Sequence, residues 1–247
     1  MKRFLFALGI VCLLGSCSKY TKSGSLQTPG LALTFDDYSI DNWYSYLGLL
    51  DSFHVKATFY ISNYNKLNAD QIRKLHEIEN RGHEIGFHTS NHPDLTKYMQ
   101  QNGLQKLMQS EIVDGINLMN KDGFYPKTFA YPFGSHLPEL DCAILKYFKS
   151  VRMLNSTTDY AQSLASSGGN QQLYAIVLDD VNKKSLSFID AMINNAKEGK
   201  DCFVVLVHDI NNPKSAYSMS YDRLRHMLES ANAAGLRYYT ASELSAQ

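Results

Sequence analysis

The sequence predicts an α/β fold, with a mainly parallel sheet that is either closed into a barrel or left open. Apolar runs of strand length alternate with stretches of helical apolar spacing at least six times, the pattern of repeated βαβ units. The first run, Leu31-Ala32-Leu33-Thr34-Phe35, follows Pro29-Gly30 and is apolar nearly throughout, as suits a strand covered on both faces. It ends in two adjacent carboxylates, Asp36 and Asp37. Neighbouring acids repel unless something positive sits beside them. A metal ion meets that need, while a helix N-cap is the plainer use for such an Asp.

The elements follow in order. Trp43, Tyr46, Leu47, Leu50 and Phe53 mark a helix over 42–53. Lys56 to Ile61 is a strand. Ile72, Leu75 and Ile78 face one side of a helix over 70–81, stopped by Gly82. His83 to Phe87 is a third strand, and Leu104 to Met119 carries the spacing of a long helix. Thr128 to Tyr131 is a strand stopped by Pro132, and Pro138 opens a helix running to Lys149. Val151 to Leu154 and Tyr174 to Leu178 read as strands around a polar loop. Ser185 to Lys197, Cys202 to Val207, Tyr221 to Ala234 and Leu236 to Thr240 alternate helix, strand, helix, strand.

Composition bounds the function. Hydrophobic residues make up 44% of 247, enough for a sizeable core, and the net charge of zero argues against a nucleic-acid partner. Met1-Lys2-Arg3, the apolar run to Leu14 and then Leu14-Gly15-Ser16-Cys17 read as a signal peptide over 1–17. The last four residues resemble a bacterial lipobox, which makes Cys17 the lipidation site, residues 18–29 a tether and residues 30–247 one domain. The expected location is therefore the bacterial cell envelope, anchored by lipid. Cys142 and Cys202 are expected as two buried thiols outside any disulfide.

The unusual polar residues all fall just past strand ends: Asp36-Asp37, His88 and His92, Tyr131-Pro132-Phe133-Gly134, and His208-Asp209. In an α/β barrel those ends form one face, and that face carries the chemistry. His-x3-His lets two imidazoles reach one ion, and with one Asp they give an N, N, O set that leaves a position open, as in catalytic zinc sites. The second carboxylate could serve as a base, and a His opposite as an acid. His83 reads as structural; His54, His76, His136 and His226 lack a partner pattern and read as surface.

These residues resemble the polysaccharide deacetylases, carbohydrate esterase family 4, with the NodB homology domain. Thr34-Phe35-Asp36-Asp37 is similar to the first motif of that family, Arg81 to Thr96 to its second, and Leu206-Val207-His208-Asp209 to its Leu-x-His motif. The resemblance implies a distorted (β/α) barrel with about seven parallel strands. It implies that Asp37, His88 and His92 bind a divalent metal (Zn2+, with Co2+ or Ni2+ as alternatives), that Asp36 is the general base and that His208 is the general acid. It further implies that the Phe133 backbone N–H donates to the oxyanion, that Pro132 and Gly134 border the substrate, and that Leu206 lines the acetyl pocket. The partner would be an acetylated polysaccharide, and the protein a monomer.

Two departures stand out. Tyr131 occupies the place of the Arg that orients the base, from which a phenol could donate a hydrogen bond to Asp36 without bringing charge. The Asp-rich motif ending in Trp is missing, which leaves Asp159, Asp179 or Asp180 to hold His208; the only Trp, Trp43, lies far upstream. Two functions follow: a metal-dependent hydrolase removing N- or O-acetyl groups from a glycan, or a catalytically impaired metal- and carbohydrate-binding lipoprotein.

Overall fold

The computed structural model describes residues 26–166 and 171–245. Cys17, the signal peptide and residues 18–25 of the expected tether lie outside the described residues. Seven parallel strands make the barrel: β1 (Gly30–Asp37), β2 (Thr58–Ile61), β3 (Glu84–Phe87), β4 (Thr128–Ala130), β5 (Ser150–Leu154), then β7 (Gln172–Val177) and β8 (Cys202–Val207). Each pairs with the next in that order, and β8 pairs with β1 over Gly30 to Phe35, which closes the ring. The short β6 (Leu164–Ala165) lies antiparallel on the start of β8. After β8 come β9 (Asp209–Ile210) and β10 (Ser218–Met219), paired with each other, and β11 (Arg237–Tyr238), which continues beside β1 where β2 leaves off.

Closure gives each barrel strand two buried faces, sorted by the parity of its residues. Leu33, Phe35, Phe59, Phe87, Phe129, Val151, Phe203 and Val205 point outward, into the large apolar core beneath the helices. Ala32, Tyr60, Ala130, Ala175, Val204 and Leu206 form a separate cluster inside the ring. The interior is narrow, so small residues face large ones. Gly86 is needed there because a Cβ would fall 2.5 Å from the Tyr60 ring.

The helices are α1 (Ile40–Ser45), α2 (Leu47–Ser52), α3 (Ala69–Asn80), α4 (Leu95–Asn102), α5 (Leu104–Leu107), α6 (Asp114–Lys121), α7 (Pro138–Ile144), α8 (Leu186–Gly199), α9 (Tyr221–Ala234) and α10 (Ala241–Ser245). A π-helical turn, Met108–Val113, joins α5 to α6. The expected helix over 42–53 is broken at Tyr46, and α4, ended by Gly103 at φ 79°, was not legible from apolar spacing. α3 begins with a capping box between Asn68 and Gln71.

Other expectations need correcting. Leu26, within the expected tether, is buried and its N–H donates to the Lys200 carbonyl (2.8 Å). Cys142 is exposed, because Leu140, Asp141 and Ile144 take the inward face of α7; Cys202 is buried as expected, and burial pushes its thiol up. His226 is half-exposed and meets Asp190 at 2.9 Å, and the His76 ring stacks on Phe124, so neither is a bare surface residue. His83 is structural: it accepts the Ala57 N–H at 3.1 Å, and burial pushes it down to about 4.

Candidate active site

At the end of β1, parity sends Asp36 into the barrel, while Asp37 turns out at the mouth with φ 84°. Inside, Asp36 meets Arg152 of β5, whose Nη2 donates to both carboxylate oxygens. Arg152 is 1% exposed and lies over the Tyr60 ring. Burial alone would raise the Asp36 carboxyl; Arg152, with His88 and His208, outweighs it and holds the group below the ordinary carboxylate value. Asp36 therefore stays ionised at neutral pH.

Tyr131 does not reach Asp36. It shares the outward parity of Phe129 and stacks edge-on against it, and its hydroxyl donates to Asp141 at 2.7 Å. The charge expected at the start of this motif comes instead from Arg152, one strand further round the barrel. Asp141 is a hub: His136 (3.1 Å) and Gln172 (3.0 Å) also meet it, which gives His136 the partner that sequence reasoning denied it.

Asp37, His88 and His92 converge at the mouth. Asp37 Oδ1 lies 3.2 Å from His92 Nε2 and 3.8 Å from His88 Nε2, and the two Nε2 atoms are 3.2 Å apart. His88 Nδ1 sits 2.7 Å from the Ala130 carbonyl, which can only accept, so Nδ1 carries the proton and Nε2 presents its lone pair. Burial pushes His88 down to about 4, so the ring is neutral. Ligand atoms about 2.0–2.1 Å from a tetrahedral zinc stand about 3.3 Å from one another. Two of the three observed spacings lie close to that value and the third, 3.8 Å, is longer; a set with two imidazoles disfavours Mg2+ or Ca2+. The three residues fit a zinc-like ion.

The remaining residues frame this centre. His208 follows β8; Asp179, after β7, accepts its backbone N–H at 3.0 Å and sits 2.6 Å from its Nδ1. Asp180 instead accepts the Ser220 N–H ahead of α9, and Asp159 accepts from Ala161, so Asp179 is the carboxylate that holds His208. With Nδ1 as donor to a buried carboxylate, Nε2 is left for the site. Burial pulls the His208 pKa down, but Asp179, aided by Asp36 and Asp37, brings it above the ordinary imidazole value. Trp43 is not idle: its indole N–H donates to the His208 carbonyl at 2.7 Å. On the other flank, Phe133 has φ 58° and is 65% exposed, its ring 4.8 Å from that of His92. Pro132 is buried. Gly134 has φ 66°, and a Cβ there would meet Leu154 at 2.7 Å. Ser135 donates to Asp94 (2.9 Å), tying this loop to the one carrying His92. Leu206 lies buried in the barrel interior.

Residues 23–149 match the family model described as polysaccharide deacetylase. The chain belongs to the polysaccharide deacetylase family. A peptidoglycan-N-acetylglucosamine deacetylase of Bacillus cereus is 32% identical over 143 residues, 57% of this chain; the chain spans half the length of that relative. A second Bacillus cereus protein of the same name is 26% identical over 216 residues, 87% of each chain. Among solved structures, the Bc1960 peptidoglycan N-acetylglucosamine deacetylase is 22% identical with a TM-score of 0.62, covering 90% of both chains. The chitin deacetylase of Colletotrichum lindemuthianum is 18% identical with a TM-score of 0.63, covering 92% of both. At these identities the two structures establish the shared barrel fold.

The held pair Asp36 and His208 should appear in one pH profile of activity. Arg152→Lys keeps the charge but loses the planar fork, so the Asp36 pKa rises and the acid limb moves to higher pH. Arg152→Gln should move it further and destabilise the fold by about 3–5 kcal/mol, because a buried charge loses its partner. Asp179→Asn lowers the His208 pKa, so the alkaline limb moves to lower pH. Limbs that stay in place would refute these assignments.

Proposed function

We propose that this protein is a metal-dependent deacetylase of an acetylated envelope glycan, with polymers containing N-acetylglucosamine as its substrate class. One observation carries the reading: a base and an acid, each locked by its own buried counter-charge, flank a triad with zinc-like spacing. The names of the Bacillus cereus relatives support the choice of glycan. The impaired-binder alternative rests on Tyr131 in place of Arg and on the missing Trp motif; Arg152 beside Asp36 answers the first of these.

Asp37, His88 and His92 would hold a divalent ion, which when bound would supply Lewis-acid polarisation to the acetyl carbonyl and to water. Asp36, ionised at neutral pH, takes the proton of the attacking water. The Phe133 N–H would donate to the carbonyl oxygen as charge develops on it. His208, whose protonated form Asp179 favours, gives a proton to the sugar nitrogen as the C–N bond breaks. Exposed rings at the mouth, Phe133 against His92 and Tyr217 (57% exposed) against His208, offer apolar faces to the C–H face of a pyranose. Leu206, from inside the barrel, borders the acetyl methyl. The lipobox-like Leu14-Gly15-Ser16-Cys17 supports a lipid anchor on a bacterial envelope membrane.

Acetate release should be measured on peptidoglycan, chitin oligosaccharides, exopolysaccharide and acetyl-xylan. Release from an N-acetylglucosamine polymer, abolished in Asp36→Asn while metal stays bound, is the expected result. Release from none, with one metal per chain, would overturn the enzyme; release from acetyl-xylan alone would overturn the substrate class. Cys17→Ser should move the protein from the membrane fraction to the soluble one; retention on the membrane would overturn the anchor.

A further inference from the structure

The chemistry above makes no use of Glu111, a buried carboxylate standing directly behind the metal loop. It lies in the π-helical turn between α5 and α6 and is 2% exposed. Its stripe is otherwise made of small or apolar residues: Leu107, Gly115 and Met119, at spacings of four, are all buried. A charge on that stripe is the residue most out of place on the helix, and it must be hydrogen-bonded to be tolerated.

The bonds all run to one target. Glu111 Oε2 accepts the Asn91 backbone N–H at 3.0 Å, and Oε1 accepts the Asn91 side-chain amide at 2.9 Å. The Glu111 carbonyl accepts the Ser90 N–H at 3.1 Å. Ser90 and Asn91 lie between the two imidazoles, His88 and His92. Four residues on, Gly115 lets the helix approach the same loop: a Cβ there would fall 2.5 Å from the Phe87 ring and 2.6 Å from Ser90 Oγ. The loop needs such support, because Thr89 (φ 67°) and His92 (φ 57°) are both left-handed, a conformation unfavourable for side-chain-bearing residues and most so for β-branched Thr. π-helical turns are rare and concentrate at functional sites.

We propose that Glu111 is a positioning residue for the metal centre: its carboxylate and carbonyl hold 90–91 so that His88 and His92 keep their ligand spacing. This rests on the assignment of Asp37, His88 and His92 as metal ligands. Glutamate fits the task because its two oxygens accept two donors from a single residue. Glutamine could accept only one, its amide nitrogen meeting a donor in the other place.

Zinc affinity, measured by titration calorimetry on metal-stripped full-length protein, tests the proposal without any substrate. Glu111→Ala should weaken zinc binding about 10–100-fold, as loss of a ligand-orienting partner does, with an unchanged far-ultraviolet circular dichroism spectrum. Glu111→Gln should weaken it less. Gly115→Ala keeps the carboxylate but forces the helix off the loop, and should also weaken binding. A folded Glu111→Ala with wild-type affinity would overturn the proposal; if that variant fails to fold, wild-type affinity in folded Glu111→Gln would do so. Absence of zinc binding in the wild type would overturn the ligand assignment instead.

Discussion

The ion pair of Asp36 and Arg152, sealed inside the barrel, is the interaction on which the site depends. Two carboxylates adjacent in sequence cannot share one environment without mutual repulsion. The strand end separates them, with Asp36 turned inward to a guanidinium and Asp37 turned outward, at φ 84°, to the imidazoles. Asp36 then has a positive partner of its own while Asp37 faces the imidazoles, and the two can take different roles. A buried ion pair contributes little net stability, since desolvation offsets its attraction. What Arg152 provides is an Asp36 that stays ionised in a site where burial would protonate it.

Around that pair the backbone is under strain. Asp37, Thr89, His92 and Phe133 all have positive φ, and all four lie at the mouth. Such conformations cost on the order of 1–3 kcal/mol each and persist only where neighbours over-determine them. Asp94 supplies one such constraint: burial raises its carboxyl, but hydrogen bonds from Thr96 and Ser135 hold it down at about 2, joining the loops after β3 and β4. Asp141, bound by Tyr131, His136 and Gln172, fixes the other side of the Phe133 loop. The apolar core beneath the helices offsets this strain, so that the site can be rigid and unfavourable locally.

Much of this was legible in the sequence. Strand and helix order followed from apolar spacing, and the triad followed from His-x3-His with an Asp at a strand end. What failed was parity. Tyr131 ends a segment too short and too uniformly buried to show which residues face inward, so its hydroxyl was assigned to the wrong side of the sheet. Arg152 went unnoticed although it carried a signal, a charge set among Val151, Met153 and Leu154 in a strand with no other use for it. The choice between Asp179 and Asp180 turned on the same alternation, since neighbours at a strand end face opposite ways. Glu111 is hidden among the apolar and small members of its helix face, Leu107, Gly115 and Met119.

On the proposed mechanism, one metal ion at Asp37, His88 and His92 works with an Asp36 kept ionised by Arg152. The most direct test of that mechanism is to titrate metal-stripped protein with zinc while following acetate release from an N-acetylated glycan. The stripped protein should release none, and activity should rise linearly and saturate at one zinc per chain. Acetate release that persists in the stripped protein, or zinc bound at one per chain with no release, would contradict the mechanism.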